Sequence, residues 1–216
     1  MIPLASFQSV TNVLCLGAHC DDIEIGAGGT ILKLIAAHPH LKFHWVVFGG
    51  KDPAREHEAR AAAAKFLYGA AGQSVDIQHY ADSFFQYSGE SIKKYFVEIR
   101  NAFAADVVFT HHGDDRHQDH RLINEFTWNT FRNHQILEYE IPKWDGDLSR
   151  PSIYSPLDEA TMQKKTDLLM ELFGTQRSKA WFTPDTFKAV MRLRGLECNS
   201  PSGFAEAFHT RKLLIG

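Results

Sequence analysis

The chain has 216 residues, of which 44% are hydrophobic, and a formal net charge of −3 at pH 7. This length supports one sizeable core, and we expect a single domain over residues 1–216. The slightly acidic balance gives no electrostatic case for nucleic acid as a partner, since nucleic acid favours a basic face.

The cysteine content and the N-terminal sequence indicate a cytoplasmic protein. Three scattered cysteines, Cys15, Cys20 and Cys198, are too few for a disulfide framework, which favours a reducing compartment. Residues 1–10 lack a basic n-region and a long apolar stretch, so we expect no signal peptide. No run of about 18 apolar residues occurs, so we expect no membrane span.

The first half of the chain alternates between strand-like and helix-like segments. The strand-like segments are apolar runs, typical of buried parallel strands, at 12–18, 42–50, 74–80 and 105–112. The helix-like segments have apolar or alanine-rich faces at helical spacing, at 24–38, 54–68 and 89–104. This alternation predicts βαβ units, and hence a Rossmann-like three-layer α/β fold with a mostly parallel sheet.

The second half of the chain is less regular but continues the same pattern. The predicted helices are 120–133, 158–173 and 184–194, and the predicted strands are 135–141 and 152–156. Residues 142–151 read as a loop that carries Trp144 among turn-forming residues. No internal repeat, low-complexity segment or linker interrupts the chain, which agrees with one domain.

Polar side chains follow two of the predicted strands, at the point where each strand ends. The first group, His19–Cys20–Asp21–Asp22, comes directly after strand 12–18, and the second, HHGDDRHQDH at 111–120, overlaps the end of strand 105–112. In an open α/β sheet, functional groups collect just beyond the carboxyl ends of the strands. We therefore expect the two groups to lie at the functional edge of the sheet.

The histidine and aspartate side chains of these groups suit a divalent metal ion such as zinc. Catalytic zinc usually has three protein ligands and keeps one position open for water. His19 and Asp22 are three residues apart across a predicted turn, so both can reach one point, and His120 can supply a third ligand. Asp21 then stands beside the metal as a base for its water, and His117 faces the substrate as an acid.

Each group also has an interpretation without metal. Paired aspartates at a helix start are often only an N-cap, and a short His–Asp–His loop is often only polar surface. The chain contains both groups, each at the end of a predicted strand of the α/β pattern, and this combination favours a metal site. Gly26, Gly28 and Gly29 match neither GxGxxG nor the Walker lysine pattern, so close packing of a helix on the sheet explains them better than a phosphate loop.

Several stretches resemble the PIG-L/LmbE-like de-N-acetylase family. AHCDDIEIGAGGTI at 18–31 looks like its AHPDDxExxxGGT motif, and DDRHQDHR at 114–121 looks like its DxHxDH motif. REHEARAAAAKFLYG at 55–69 is similar to a family helix, with one extra residue before the glycine. ADVVFTHH at 105–112 matches the strand before the second motif, and GFAEAF at 203–208 resembles the C-terminal segment. The likeness is weakest between 130 and 200.

The resemblance implies an LmbE-like fold and a zinc-dependent removal of N-acetyl groups from aminosugars in larger conjugates. Carried over by position, the zinc ligands are His19, Asp22 and His120, and the general base is Asp21. The resemblance also implies that His117 polarises the carbonyl or protonates the amine, and that Asp119 orients a histidine. It implies substrate contacts for Arg55 and Asp82.

Cys20 departs from the family motif, which has proline at this position. A thiol there could add a metal bond, but a small half-buried filler is the simpler interpretation.

The substrate is less constrained by the sequence than the reaction. Arg177 and Arg194 belong to basic stretches that suit a phosphate or pyrophosphate, and Trp144 suits stacking on a sugar ring. A solvated surface for the arginines and a core or subunit contact for the tryptophan are equally consistent with the pattern. We expect a soluble N-acetyl-hexosamine glycoside or sugar nucleotide as the substrate.

Other functions and metals remain open at the level of sequence. A zinc hydrolase of another small amide or ester would use the same residues, and a non-catalytic sugar- or nucleotide-binding module would keep the fold. A nicotinamide-dependent dehydrogenase is disfavoured because GxGxxG is missing. Iron or cobalt suits the same ligands as zinc. The oligomeric state, including a homo-oligomer, stays undetermined.

Overall fold

The structure, a computed structural model, describes residues 7–214. Within these residues seven strands form one sheet: β1 (Asn12–Gly17), β2 (Lys42–Val47), β3 (Gly72–Ile77), β4 (Val107–His111), β5 (Gln135–Tyr139), β6 (Ile153–Leu157) and β7 (Phe204–His209). Their order across the sheet is β3-β2-β1-β4-β5-β7-β6. Strands β1 to β5 are parallel, and β7 runs antiparallel to both β5 and β6. The predicted α/β class with a mostly parallel sheet is confirmed.

Helices cover both faces of this sheet. The α-helices among the described residues are α1 (Asp22–Ala37), α2 (Pro53–Phe66), α3 (Gly89–Ala102), α4 (Gln118–Thr130), α5 (Glu159–Leu172) and α6 (Pro184–Glu197). Helices α1, α2, α5 and α6 pack on one face, and α3 and α4 pack on the other. This gives the three layers expected for a parallel sheet that is buried on both sides. Over residues 7–214, each helix falls short of the length and hydrophobicity that crossing a bilayer requires.

The apolar run in β1 shows why this strand lies at the centre of the sheet. Val13 and Cys15 point into the core on the α1 side, whereas Leu14 and Leu16 point into the core on the α3 side. All four side chains are fully buried. Because successive side chains of a strand alternate between faces, only a strand covered on both sides needs an unbroken apolar run.

The glycines that follow β1 serve close packing. A Cβ atom at Gly26 would lie 2.2 Å from the ring of Tyr139, and one at Gly29 would lie 2.6 Å from Leu157. A Cβ at Gly28 would lie 2.6 Å from the ring of Phe66. The interpretation of these glycines as close packing of a helix on the sheet is confirmed for Gly26 and Gly29, which face residues of β5 and β6, whereas Gly28 faces helix α2.

The structure differs from the predicted elements mainly near the C-terminus. Residues 203–208, which carried no predicted element, contribute β7, because this segment pairs antiparallel between β5 and β6. Helix α1 begins at Asp22 rather than at 24, with Asp21 as its N-cap residue. Helix α4 begins at Gln118 because the His117 side chain caps it by accepting from the Asp119 N–H.

The strand order fixes where a functional site can form. From β1 the chain first moves outward to β2 and β3, and then crosses to β4 on the other side of β1. The loops after β1 and β4 therefore leave the sheet in opposite directions and open a crevice between them. Ligands of open α/β sheets bind at such a switch point, outside the carboxyl ends of the strands.

Candidate metal centre

Three potential ligand atoms meet in the crevice between β1 and β4. The Nδ1 atom of His19 lies 3.1 Å from the Nε2 atom of His120. The Oδ2 atom of Asp22 lies 3.4 Å from this Nδ1 and 3.5 Å from this Nε2. A tetrahedral zinc ion with bonds of about 2.0–2.1 Å separates its ligand atoms by about 3.3–3.4 Å. The triangle formed by His19, Asp22 and His120 could therefore hold one such ion.

Further histidine and aspartate side chains surround this triangle. Ligand atoms of His19, Asp82, His117 and Asp119 lie within 4.8 Å of one another, and so do ligand atoms of Asp22, His111 and His120. We call these seven residues together with Asp21 the metal cluster. Its four carboxylates and four imidazoles form a largely buried group that favours a bound cation over an apolar or anionic occupant.

Electrostatic interactions within the cluster affect the protonation of the three proposed ligands differently. Burial opposes the ionisation of Asp22, but His120 and His111 hold its pKa well below the usual range. Burial also opposes the charged form of His19, but the surrounding carboxylates, Asp22 first, raise its pKa well above the usual range. Burial, followed by the charge of His111, lowers the pKa of His120 to about 4. His120 is therefore held in the neutral form that coordinates a metal ion, whereas His19 releases its proton when a metal ion binds.

Outer hydrogen bonds fix the orientation of both histidines of the triangle. The Nδ1 atom of His120 lies 2.9 Å from Asp115 Oδ2, and Lys143 Nζ lies 3.0 Å from the other Asp115 oxygen. The Nε2 atom of His19 lies 3.2 Å from Asp119 Oδ2. Each histidine thus offers one nitrogen to the triangle and keeps a carboxylate on the other, as metal-ligating histidines commonly do.

His111 forms the floor of the cluster. It is fully buried, and its ring stacks on that of His120 with the centroids 3.9 Å apart. Its Nε2 atom accepts a hydrogen bond from the Ala18 N–H at 2.9 Å and lies 3.2 Å from Asp22 Oδ2. The ring therefore packs beneath the triangle and spaces the loop after β1 from β4.

Asp21 stands beside the triangle and is held by an arginine. Its Oδ1 atom accepts a hydrogen bond from Arg55 Nη2 at 2.7 Å. Its side chain does not cap helix α1, so its carboxylate accepts no hydrogen bond from the backbone N–H groups of the first turn. Burial raises the pKa of Asp21, although the charge of Arg55 opposes the change. A carboxylate with increased proton affinity is suited to take a proton.

His117 lines the cluster with a defined tautomer. The Asp119 N–H donates to His117 Nδ1 at 3.3 Å, so the neutral ring carries its proton on Nε2. The ring lies against those of His19 and His120, with centroids 4.8 Å and 4.6 Å away. Burial, followed by the charge of His19, lowers the pKa of His117.

The structure brings two of the five predicted substrate contacts to the cluster. Arg55 reaches Asp21, and Asp82 Oδ1 lies 3.2 Å from His19 Nε2. The Asp82 side chain is 64% exposed, so it forms part of the rim.

The other three predicted substrate contacts are engaged elsewhere or simply exposed. Arg177 donates to the carbonyl oxygens of Met170 and Glu171 at the end of α5. Arg194 is 2% exposed and is enclosed by the carboxylates of Glu140 and Glu197. The two arginines therefore serve helix termination and a buried ion pair. Trp144 is 73% exposed in the loop after β5, next to the Lys143 that contacts Asp115.

Cys20 is a buried filler. Its side chain is fully buried, and its Sγ lies 3.8 Å from the Gly49 carbonyl oxygen. Burial, opposed by the charge of Arg55, raises the pKa of the thiol to about 12. A thiol that holds its proton this tightly is a poor metal ligand, which supports the simpler interpretation of its place in the motif.

Asp115 and His111 were not among the predicted site residues. Asp115 belongs to the DDRH stretch. It contacts the His120 ring because it lies about one turn before the start of helix α4. His111 looks like the end of a buried strand, and its stacking on His120 depends on the loop between them. The local signal for both was the histidine- and aspartate-rich character of 111–120.

The fold and the cluster define an α/β protein with a candidate metal centre at the switch point of its sheet. The family model described as PIG-L, GlcNAc-PI de-N-acetylase, matches residues 14–131, which contain the whole metal cluster. The chain belongs to this family.

The chain is similar in sequence to one deacetylase and similar in fold to a second deacetylase and to a hydratase. The uncharacterized deacetylase YaiS of Escherichia coli strain K12 is 30% identical over 148 residues, which are 64% of this chain and 78% of that protein. The N,N'-diacetylchitobiose deacetylase of Pyrococcus horikoshii has the same fold, with a TM-score of 0.72 at 19% identity over 94% of this chain and 85% of its own. GalB, the 4-carboxy-2-hydroxymuconate hydratase of Pseudomonas putida KT2440, has a TM-score of 0.71 at 16% identity over 95% of this chain and 98% of its own.

Proposed function

We propose that this protein is a zinc-dependent N-deacetylase that hydrolyses the N-acetyl group of an aminosugar conjugate and releases acetate. The observation that carries the proposal is the triangle of His19 Nδ1, Asp22 Oδ2 and His120 Nε2, with sides of 3.1–3.5 Å. Membership of a de-N-acetylase family supports the same reaction. When bound, a divalent ion polarises an amide carbonyl and lowers the pKa of a water molecule to roughly 7.

His19, Asp22 and His120 are the residues that would hold the ion. Three protein ligands leave a fourth position open, which is the usual arrangement of a catalytic zinc site. Asp115 and Asp119 orient the two histidines from behind. Iron or cobalt suits the same ligands, so the choice of zinc rests on the tetrahedral spacing.

Asp21 acts as the general base in this proposal. The hydrogen bond from Arg55 occupies Oδ1 and fixes the carboxylate, which leaves Oδ2 to receive a proton. The water proton passes to Asp21 while the water oxygen attacks the acetyl carbon. When the carbon–nitrogen bond breaks, Asp21 returns this proton to the nitrogen, so that acetate and a free amine leave.

His117 stabilises the developing negative charge on the acetyl oxygen. Its lowered pKa and its Nδ1 contact with the Asp119 N–H favour a neutral ring with a proton on Nε2. A neutral Nε2–H can donate a hydrogen bond to the acetyl oxygen without first binding a proton. Such preorganised donors supply much of the rate enhancement in acyl transfer.

The rim of the cluster fits a hydroxyl-rich substrate. The exposed Asp82 carboxylate at this rim can accept hydrogen bonds from sugar hydroxyls. Trp144, exposed in the loop after β5, keeps its proposed role of stacking on a sugar ring. Arg177 and Arg194 have no part in this proposal, because their guanidinium groups are engaged elsewhere. We also propose that residues 1–216 form one domain that acts in the cytoplasm.

The reaction is tested by acetate release. Zinc-loaded protein is incubated with N-acetylglucosamine, N,N'-diacetylchitobiose and UDP-N-acetylglucosamine, and acetate and free amine are measured together. We expect equal amounts of both from at least one substrate, and release by Asp21→Asn that is slower by about 10²–10⁴-fold. Acetate release only from simple esters or amides would indicate another zinc hydrolase, and sugar binding without turnover would indicate a binding module. A hydratase, as in the similar fold of GalB, would release no acetate.

A further inference from the structure

A second concave surface lies between α4 and the segment that follows β7. It is an open surface depression with a volume of about 690 Å³, which is large enough for a small molecule. Its charged and aromatic lining residues are Arg121, Glu125, Trp128, Arg132, Arg211 and Lys212. We call this surface the basic cleft. None of its lining residues belongs to the metal cluster.

The basic cleft has an excess of positive charge, with four lining cations against one lining carboxylate, Glu125, in a chain whose net charge is −3. Arg211 is offset by the buried carboxylate of Glu138, since its Nε lies 3.2 Å from Glu138 Oε1. Within residues 7–214, no carboxylate lies in ion-pair distance of the three other cations, Arg121, Arg132 and Lys212. A concave surface with unneutralised cations attracts anions from solution.

These three cations are held in place by the backbone. Arg121 Nη1 donates to the carbonyl oxygens of Asp115, at 3.0 Å, and Arg116. Arg132 Nε donates to the Asn129 carbonyl at 3.3 Å, and Lys212 Nζ donates to the Arg132 carbonyl at 2.8 Å. Each side chain uses one nitrogen on a neutral partner. Its charge and its remaining N–H groups stay available for a ligand. Because these contacts already order the side chain, binding a ligand costs less conformational entropy.

The wall of the cleft is also fixed. The indole N–H of Trp128 donates to Glu138, and the guanidinium of Arg211 lies 4.6 Å from the Trp128 ring centroid. Arg211 Nη2 donates to Asn124 Oδ1 at 2.8 Å, and Lys212 Nζ lies 5.6 Å from the same ring centroid. The Trp128 ring therefore lies against two cations, so the cleft favours a charged group over a stacked apolar ring.

We propose that the basic cleft binds a phosphate-bearing small molecule through a diphosphate group, at a site separate from the metal cluster. Guanidinium groups bind phosphate oxygens with paired N–H donors, and arginine supplies two of the three unneutralised cations. Several cations around one cleft suit a multiply charged anion, whereas a single carboxylate would neutralise only one of them. The diphosphate can be inorganic or belong to a nucleotide.

Isothermal titration of the full-length, metal-loaded protein with pyrophosphate tests the proposal. We expect saturable binding with a Kd of about 1 mM or tighter that weakens as salt is raised. Arg121→Gln, Arg132→Gln and Lys212→Gln should each weaken binding by about fivefold, the effect of one exposed ion pair. Lys164→Gln, which removes an exposed cation of α5 outside the cleft, should leave it unchanged.

Two further measurements identify the source of the anion and test whether it binds at the metal cluster instead. Tighter binding of ATP than of pyrophosphate assigns the ligand as a nucleotide, and equal binding assigns it as the diphosphate alone. Binding that survives in the three cleft variants but is lost in His19→Ala would place the anion on the metal and overturn the proposal. Absence of saturable binding in variants and parent alike, all with unchanged melting temperature, would also overturn it.

Discussion

The Nδ1 atom of His19 and the Nε2 atom of His120 lie 3.1 Å apart, although 101 positions separate the two residues in the chain. Each ring also has a carboxylate on its second nitrogen, Asp119 for His19 and Asp115 for His120. Two nitrogens that face each other at this distance, with Asp22 Oδ2 near both, have the spacing of ligands to a single ion. This contact joins the two motifs into one site.

Replacing the proposed base should stop turnover and leave the metal bound. We expect Asp21→Asn to lower kcat by about 10²–10⁴-fold, because the amide cannot take up the water proton. Metal content by elemental analysis should stay at the parent level, since Asp21 is not one of the three proposed ligands. Asp167→Asn, an exposed aspartate on α5, is the matched control and should keep full activity. Near-normal acetate release by Asp21→Asn would remove this residue from the mechanism.

The carboxylate behind His120 should control metal affinity. Asp115→Asn keeps the size of the side chain but removes the charge that orients the ring through Nδ1. We expect metal to bind about 10- to 100-fold more weakly, as measured by competition with a chromophoric chelator. Asp114→Asn changes the neighbouring, exposed carboxylate and should have no effect. Equal affinities for the two variants would show that Asp115 does not support the site.

Ionised Glu138 should stabilise the folded protein near neutral pH and should lose this effect at acidic pH. Its contacts with His112, at 2.9 Å, and with the Gly113 N–H, at 3.1 Å, outweigh burial and lower its pKa from 4.5 to about 2. Because the folded-state pKa is depressed, the stabilisation is complete above pH 4.5 and is lost as the pH falls toward 2. With about 1.4 kcal/mol for each pH unit in this interval, the loss is of the order of 3 kcal/mol.

This pH dependence is measured by urea unfolding of the parent and of Glu138→Gln from pH 6 to pH 2. The parent should be more stable at pH 6, and the difference in free energy of unfolding should shrink as the pH falls. Taking the difference between the two proteins cancels the titrating groups that do not contact Glu138. A difference that stays constant with pH would contradict the depressed pKa of Glu138.

A buried ion pair links α5 to β7. Lys165 Nζ lies 2.5 Å from Glu206 Oε1, and both side chains are about 3% exposed. Glu206 also accepts hydrogen bonds from the backbone N–H groups of Gly29 and Thr30, at 2.8 Å and 2.6 Å. We expect Lys165→Met to reduce the free energy of unfolding by about 3–5 kcal/mol, because it leaves the carboxylate without its counter-charge.

The matched control for this pair is the neighbouring Lys164→Met, which changes an exposed lysine on the same helix and should have little effect. In chemical denaturation, Lys165→Met combined with Glu206→Gln should recover part of the loss, because the unpaired charge is gone. A double variant that is as unstable as the sum of its parts would show that the two side chains act independently.

The sequence was most informative where function depends on local spacing at strand ends. The distance of three positions between His19 and Asp22, directly after an apolar strand, was sufficient to predict that both face one point. The pairing of this group with His120 rested on the rule that functional groups collect beyond the carboxyl ends of the strands, and the structure places β1 and β4 side by side and parallel.

Features that depend on side-chain direction could not be predicted. Arg177 and Arg194 are close in sequence to other cations, but one binds a helix end and the other is buried between carboxylates. Arg121, Arg132 and Lys212 are scattered in sequence, and only the packing of the C-terminal segment on α4 brings them together. Strand β7 was missed because its antiparallel pairing depends on two strands that are distant in the chain.

The most direct test of the metal centre is a crystal structure of the zinc-loaded protein with anomalous data collected at the zinc absorption edge. We predict one strong anomalous peak about 2.0–2.2 Å from His19 Nδ1, Asp22 Oδ2 and His120 Nε2, with Asp21 beside it but not coordinated. A zinc-loaded crystal with no peak at this point, or with its peak on other residues, would contradict the proposed centre.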